Sequence, residues 1–224
     1  MNSNLIKMSN IQFSISSMSK KIAKRKSIVQ AAIEVFGKKS FRDSNISEIA
    51  RRAEVAEGTI YQYFRDKEDL FFSIPMDKTR EFCSGLDLHL QGIIGPTNKI
   101  RKFIWYYLYF FKTNPQYGRI LMLEMRVNRS FVKTKTYSFL RKSTSEILEI
   151  IKEGQEEGIV RKDVNPYVIR HLTLGILEHV VTRWLLKGEK YNLMDSYEDI
   201  SKLVIDGIGL SGEAGRFPGM SKEG

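Results

Sequence analysis

One cysteine stands among the 224 residues, at position 83. An intramolecular disulfide is therefore impossible, which suits a reducing compartment. Cys83 also has no adjacent histidine or basic motif of the kind that turns a thiol into a nucleophile. Histidine is nearly as scarce, with only His89, His171 and His179. The last two lie eight apart in one apolar-periodic stretch, about 12 Å along a helix axis, which is too far to share a metal ion. No glycine-rich phosphate loop and no cluster of carboxylates is visible. The sequence thus predicts no catalytic residue, no metal ligand and no resident cofactor, and it argues against an enzyme.

Long apolar runs are missing too. The longest, Phe103 to Phe111, has nine residues, against about twenty needed to span a bilayer. Leu5 to Met18 breaks its apolar residues with Ser, Asn and Gln, so no export signal is visible. These features predict a cytoplasmic chain without a membrane partner. Period-two alternation is nowhere long enough to argue for a sheet.

What the chain does have is 42% hydrophobic residues, enough for a sizeable core, and a formal net charge of +10. A surplus of that size favours a polyanionic partner. It is unevenly placed. Residues 1–80 carry 15 basic and 9 acidic side chains, whereas the much longer remainder carries 21 and 17. Lys20, Lys21, Lys24, Arg25 and Lys26 make up much of the excess, although such a run also reads as a solvated helix end.

Apolar periodicity predicts an all-α protein of about nine helices. Residues 1–19 read as a flexible arm in which Met8 or Met18 could be the start, and 211–224 as a frayed tail. A first helix is expected over about 20–37, a second from Asn45, a third near Ala56 and a fourth from Asp66 to about Gln91, kinked or broken at Pro75. Pro96 and Pro115 precede or open the fifth and sixth. A long amphipathic helix over about 131–157 should end at Gly158. One from Pro166 to Lys187 is closed by Gly188, and the last covers about 195–210.

The segment from Ser44 to Leu70 is the most informative. Asn45 followed by Glu48 forms a capping box, and Asp66 caps the fourth helix. Ile46, Ile49, Ala50 and Ala53 make a short apolar face. Glu54-Val55-Ala56 is a tight connection with Val55 as a plug, and the next helix buries Ile60 and Phe64. Two short helices joined by three or four residues form a helix-turn-helix, here over 45–64. Thr59, Tyr61, Gln62 and Tyr63 face outward with groups suited to base edges and phosphates. Gly58 either admits the duplex backbone closely or is an incidental glycine early in a helix.

These residues resemble the DNA-binding domain of TetR-family regulators. The likeness is carried by Ala32 and Phe36, Ile46-Ser47-Glu48-Ile49-Ala50, Val55 through Phe64, and Lys67-Glu68-Asp69-Leu70. It implies a DNA face of Ser44, Asn45, Ala56, Glu57, Gly58, Thr59, Tyr61, Gln62, Tyr63 and Lys67. It also implies a domain over 20–80, followed by a helical effector-binding and dimerisation domain over 81–210. Ser40 and Glu54 stand where the family usually has glycine, at positions that often need a left-handed backbone. Glu57 replaces a more common Lys or other polar residue and bears on operator choice.

In the second domain, Val168, Leu172, Gly175, Ile176, Val180 and Trp184 form a stripe, joined by Leu203, Val204 and Ile208. The family pattern makes it a homodimer interface, with Leu172, Gly175, Ile176, Val180, Trp184 and Leu203 as its expected members; ordinary intrachain core is the alternative. The all-apolar run offers Phe103, Tyr106, Tyr107 and Phe110 as the wall of a pocket for a small hydrophobic effector. Arg126 would serve as a cationic mouth; core packing and a solvated helix end are the competing readings. Residues 154–166 and 174–193 are similar to TetR-type fatty-acid-degradation repressors, which implies a long-chain acyl-CoA effector. The predicted function is a repressor that binds a palindromic operator on double-stranded DNA as a dimer. The alternative is a helical module that binds DNA nonspecifically and docks a protein.

Overall fold

The computed structural model describes the backbone of residues 2–209 and the side chains of 18–209, apart from 142 and 143. Every regular element among them is helical, beside one isolated antiparallel bridge between Val160 and Gly209. The α-helices are α1 (Asn2–Lys39), α2 (Ile46–Arg52), α3 (Glu57–Tyr61), α4 (Lys67–Leu90), α5 (Pro96–Thr113), α6 (Pro115–Arg119), α7 (Lys135–Ser143), α8 (Ser145–Glu156), α9 (Pro166–Leu186) and α10 (Tyr197–Ile208). A π-helical turn, Ile120–Met125, continues α6.

Local chemistry explains most of the boundaries. Pro115 and Pro166 open their helices at positions where an amide hydrogen is not needed. Asn165 caps α9 by accepting from the Tyr167 N–H at 2.9 Å. Gly158 and Gly188 close α8 and α9 in the left-handed region, with φ 72° and 67°. Pro75 lies inside α4, which stays one helix across it.

Two elements depart from the expectations above. The expected arm over 1–19 belongs to α1 from Asn2 onward. No proline or glycine occurs before Gly37 to stop the helix. The expected helix over 131–157 is divided into a 3₁₀ turn (Phe131–Lys133), α7 and α8. Arg170 of α9 grips the break, its guanidinium donating to the Thr144 carbonyl at 3.2 Å and to the Thr144 hydroxyl at 2.6 Å. The tail expected over 211–224 lies outside the described residues.

The described residues fall into two compact units, one of residues up to 82 with 113–142 and the other of 83–112 with residues from 143 onward. In the first, Ile28, Ala32 and Phe36 of α1 are buried together with Ile49, Ile60, Leu70, Phe71 and Ile74. Gly37 admits α6 against α1, since a Cβ there would fall 2.5 Å from Cβ of Gln116. In the second, α5 buries Ile100, Phe103, Ile104 and Leu108, α8 buries Ile147 and Ile151, and α9 buries Leu177 and Val181.

Candidate nucleic-acid interface

The helix-turn-helix is built almost entirely from short-range bonds. Asn45 Oδ1 accepts the Glu48 N–H at 2.8 Å and fixes the start of α2. Only half of the expected capping box forms, because the Glu48 carboxylate pairs with Lys39 Nζ at 2.9 Å. At the other end of α2, the Glu54 N–H donates to the Arg51 carbonyl at 3.3 Å and the Val55 N–H to the Ala50 carbonyl at 3.0 Å. That pair of bonds is a Schellman closure. It needs a left-handed residue, and Glu54 supplies it with φ 55°. Ser40, after α1, has φ 90°. Both residues occupy the conformation that the missing glycines would have taken more cheaply.

Beyond the turn, α3 hangs on two anchors, Ile60 and Phe64, both buried. The Arg25 guanidinium sits 5.3 Å from the Phe64 ring centroid and donates to Asp77 at 2.7 Å, so this member of the basic run is held within the fold. Lys20, Lys21, Lys24 and Lys26 remain exposed. Of the residues expected on the DNA face, Asn45, Ala56, Glu57, Gly58, Tyr61 and Gln62 are exposed, and Thr59 and Tyr63 are half-buried. Gly58 has ordinary helical geometry, and a Cβ there would meet nothing within 4 Å. No packing demand of the fold explains the glycine.

Two expected contact residues turn inward. Ser44 is buried and donates its hydroxyl to the Ser40 carbonyl, so its side chain organises the loop between α1 and α2. Lys67 directs its ammonium at the same loop, donating to the Phe41 carbonyl at 2.8 Å and the Ser44 carbonyl at 2.7 Å. It also lies 4.5 Å from the Phe41 ring centroid. Two of its three donors are thereby used. Asp66 caps α4 as expected, accepting from the Asp69 N–H at 2.7 Å.

Sequence reasoning missed the outer side of that loop. Glu124, in the π-helical turn, accepts the Phe41 N–H at 2.7 Å. Burial, opposed by this bond, pushes the Glu124 carboxyl above its ordinary pKa. Residues 83 apart in sequence meet here, and no local pattern signals it. Burial likewise raises the pKa of the Tyr117 hydroxyl.

In the second unit, Phe103, Tyr106, Tyr107 and Phe110 are all buried on α5 and pack ring against ring, with Tyr106 and Phe110 centroids 6.2 Å apart. Gly85 of α4 leaves room for the Tyr106 hydroxyl, which a Cβ would meet at 2.0 Å. Arg126 is exposed and belongs to the first unit. The expected interface stripe also divides. Leu172 and Leu203 are 51% and 70% exposed and Gly175 is open, while Ile176 and Val180 are half-buried. Trp184 is buried, and its indole N–H donates to the Tyr191 carbonyl at 2.8 Å. Tryptophan seeks a partner for that N–H when buried, so Trp184 is intrachain core rather than interface. Val204 and Ile208 are buried as well.

Among the described residues no helix is long and apolar enough to cross a membrane. His171 and His179 fall in no group of metal-ligating side chains there.

Residues 28–74 match the family model described as bacterial regulatory proteins, tetR family, and residues 76–207 match that of the C-terminal region of YsiA-like proteins. The fatty acid metabolism regulator protein of Bacillus subtilis is 26% identical over 85% of this chain and 98% of its own length. Two solved structures share the fold at 26% identity. One is the fatty acid degradation regulator FadR of Bacillus halodurans, with a TM-score of 0.77 over 82% of this chain and 95% of that one. The other is FadR of Bacillus subtilis in complex with stearoyl-CoA, at 0.75 over 82% and 98%.

Proposed function

The chain belongs to the tetR family of bacterial regulatory proteins, and on that premise we propose that it is a cytoplasmic, dimeric repressor released from its operator by a long-chain acyl-CoA. The observation that carries the regulator reading is the solvent edge of α3. Glu57, Gly58, Tyr61 and Gln62 stand in water on a helix anchored from behind by Ile60 and Phe64. A short helix presented in this way fits a major groove. Its amide and hydroxyl groups suit base edges, and the exposed lysines of α1 suit phosphates.

The effector class rests on the regulators of fatty acid metabolism that this chain resembles along nearly its whole length, one of them solved with stearoyl-CoA. The buried aromatic side chains of α5 have the apolar chemistry that an acyl chain would need around it. Dimerisation rests on Leu172, Gly175 and Leu203, an apolar surface that is open to water in the single chain. Two copies would place two recognition helices one helical turn of DNA apart.

Gel shifts on duplexes selected from a random-sequence library test both parts. Stearoyl-CoA should release the duplex, while equal concentrations of stearate or coenzyme A should not. Retention with all three would remove the effector assignment. Equal affinity for selected and scrambled duplexes would remove the operator assignment and favour a nonspecific DNA-binding module.

A further inference from the structure

The loop between α1 and α2 is held from two sides. Lys67, in the first turn of α4, grips the carbonyls of Phe41 and Ser44. Glu124, in the π-helical turn after α6, grips the Phe41 N–H at 2.7 Å. Both backbone groups of Phe41 are therefore claimed by charged side chains from different elements. Such bonds are shorter and about twice as strong as neutral ones. The loop ends on Asn45, which caps α2, so a displacement of Phe41 reaches the helix-turn-helix within four residues.

The surrounding packing is aromatic. The Phe41 ring lies 5.8 Å from Phe36 and 4.7 Å from Phe71, and the Phe71–Phe72 and Phe72–Phe131 centroid distances are both 5.6 Å. Upstream, the turn between α5 and α6 is tied to α4, because Lys78 Nζ donates to Asn114 Oδ1 at 2.7 Å. The π-helical turn follows α6 without a break. Sequence continuity therefore leads from aromatic α5 through α6 to Glu124, and one hydrogen bond leads from Glu124 to the loop.

We propose that Glu124 is a positioning residue for DNA binding, coupling the state of the Ile120–Met125 turn to the helix-turn-helix through the Phe41 N–H. This coupling rests on the DNA-binding reading of α3. Coupling is reciprocal, so DNA bound at α3 must be felt at the π-helical turn even when no effector is present. The neutral side chain of Gln can still accept the Phe41 N–H, whereas that of Ala cannot.

Amide hydrogen exchange of the full chain, with and without a duplex selected from a random library, tests it. In the wild type, DNA should slow exchange over 45–64 and also over 120–125. Glu124→Ala should keep the first effect, lose the second, and bind the duplex more weakly by at most about tenfold, the limit reached if the bond's whole worth is gained on DNA binding. Glu124→Gln should retain both effects and near-native affinity. Protection over 45–64 with none over 120–125 in the wild type would overturn the coupling alone. The coupling is likewise overturned if Glu124→Ala keeps wild-type protection over 120–125, or if Glu124→Gln loses it. No protection over 45–64 in the wild type would strike the DNA-binding reading, and the coupling would fall with it.

Discussion

Two surfaces of the molecule stand in water for different reasons. On α3 and at its C-cap the exposed side chains are Glu57, Tyr61 and Gln62, beside the bare backbone of Gly58. On α9 and α10 they include Val168, Leu172, Leu186 and Leu203, each more than half exposed. Polar groups stay hydrated at no cost until a duplex replaces the water. Leucines half or more exposed forgo part of the about 1.5–3 kcal/mol that full burial of each would give, and several on one pair of helices favour a protein partner. On the reading proposed above both are binding faces, and the chemistry of what is exposed is what assigns nucleic acid to the one and a second copy of the chain to the other.

The largest effects that could undo this contrast lie within α9 itself. Trp184, counted with the interface on the family pattern, is buried, and Trp184→Ala should cost about 3–5 kcal/mol in denaturant unfolding. A loss below about 1 kcal/mol would return it to the surface. Leu172→Arg, on the exposed side of the same helix, should leave chain stability nearly unchanged. It should convert a dimer to a monomer in sedimentation and weaken operator binding about a hundredfold through lost bivalency. A dimer that survives the change would move the interface elsewhere.

The polar face should answer on a smaller and more local scale. Gln62→Ala should lose about 1–3 kcal/mol of discrimination at one operator position, read by binding to single-base variants. Uniform weakening across all variants would assign Gln62 to phosphate instead. Smallest is Glu54→Gly, which relieves a left-handed side chain at φ 55°. The relief of about 1–2 kcal/mol is offset by about 0.4–1 kcal/mol of extra chain entropy in the unfolded state. The melting temperature should rise by a few degrees at most, with operator affinity retained; a fall would mean the Glu54 side chain has a role of its own.

The head was the more legible half because its signals are local. The Asn45 and Asp66 caps and the Ile60 and Phe64 anchors all sit within a few residues of the backbone groups they serve, while the left-handed sites at Ser40 and Glu54 were expected only from the family resemblance. In the second unit, period 3.6 identified the stripe on α9 but not its division, since Leu172 and Trp184 are equally apolar in pattern. Which of them faces solvent depends on where Tyr191 returns to receive the indole. The break at Thr144 was hidden for a similar reason, its partner Arg170 lying 26 residues away.

Caps, turns and periodicity act over one or two helical turns. The amino-acid sequence alone therefore sufficed for an all-α chain, for most helix ends, and for the helix-turn-helix with its outward α3 residues. The allegiance of the long charged side chains was settled by tertiary packing. Lys67 reads as a phosphate contact in sequence and folds back onto Phe41 and Ser44, and Glu124 reads as nothing in particular and takes the Phe41 N–H. A lysine or glutamate has several rotatable bonds and many possible partners within reach. Its choice is made by whichever backbone groups distant packing leaves unpaired, and those exist only once the chain has closed on itself.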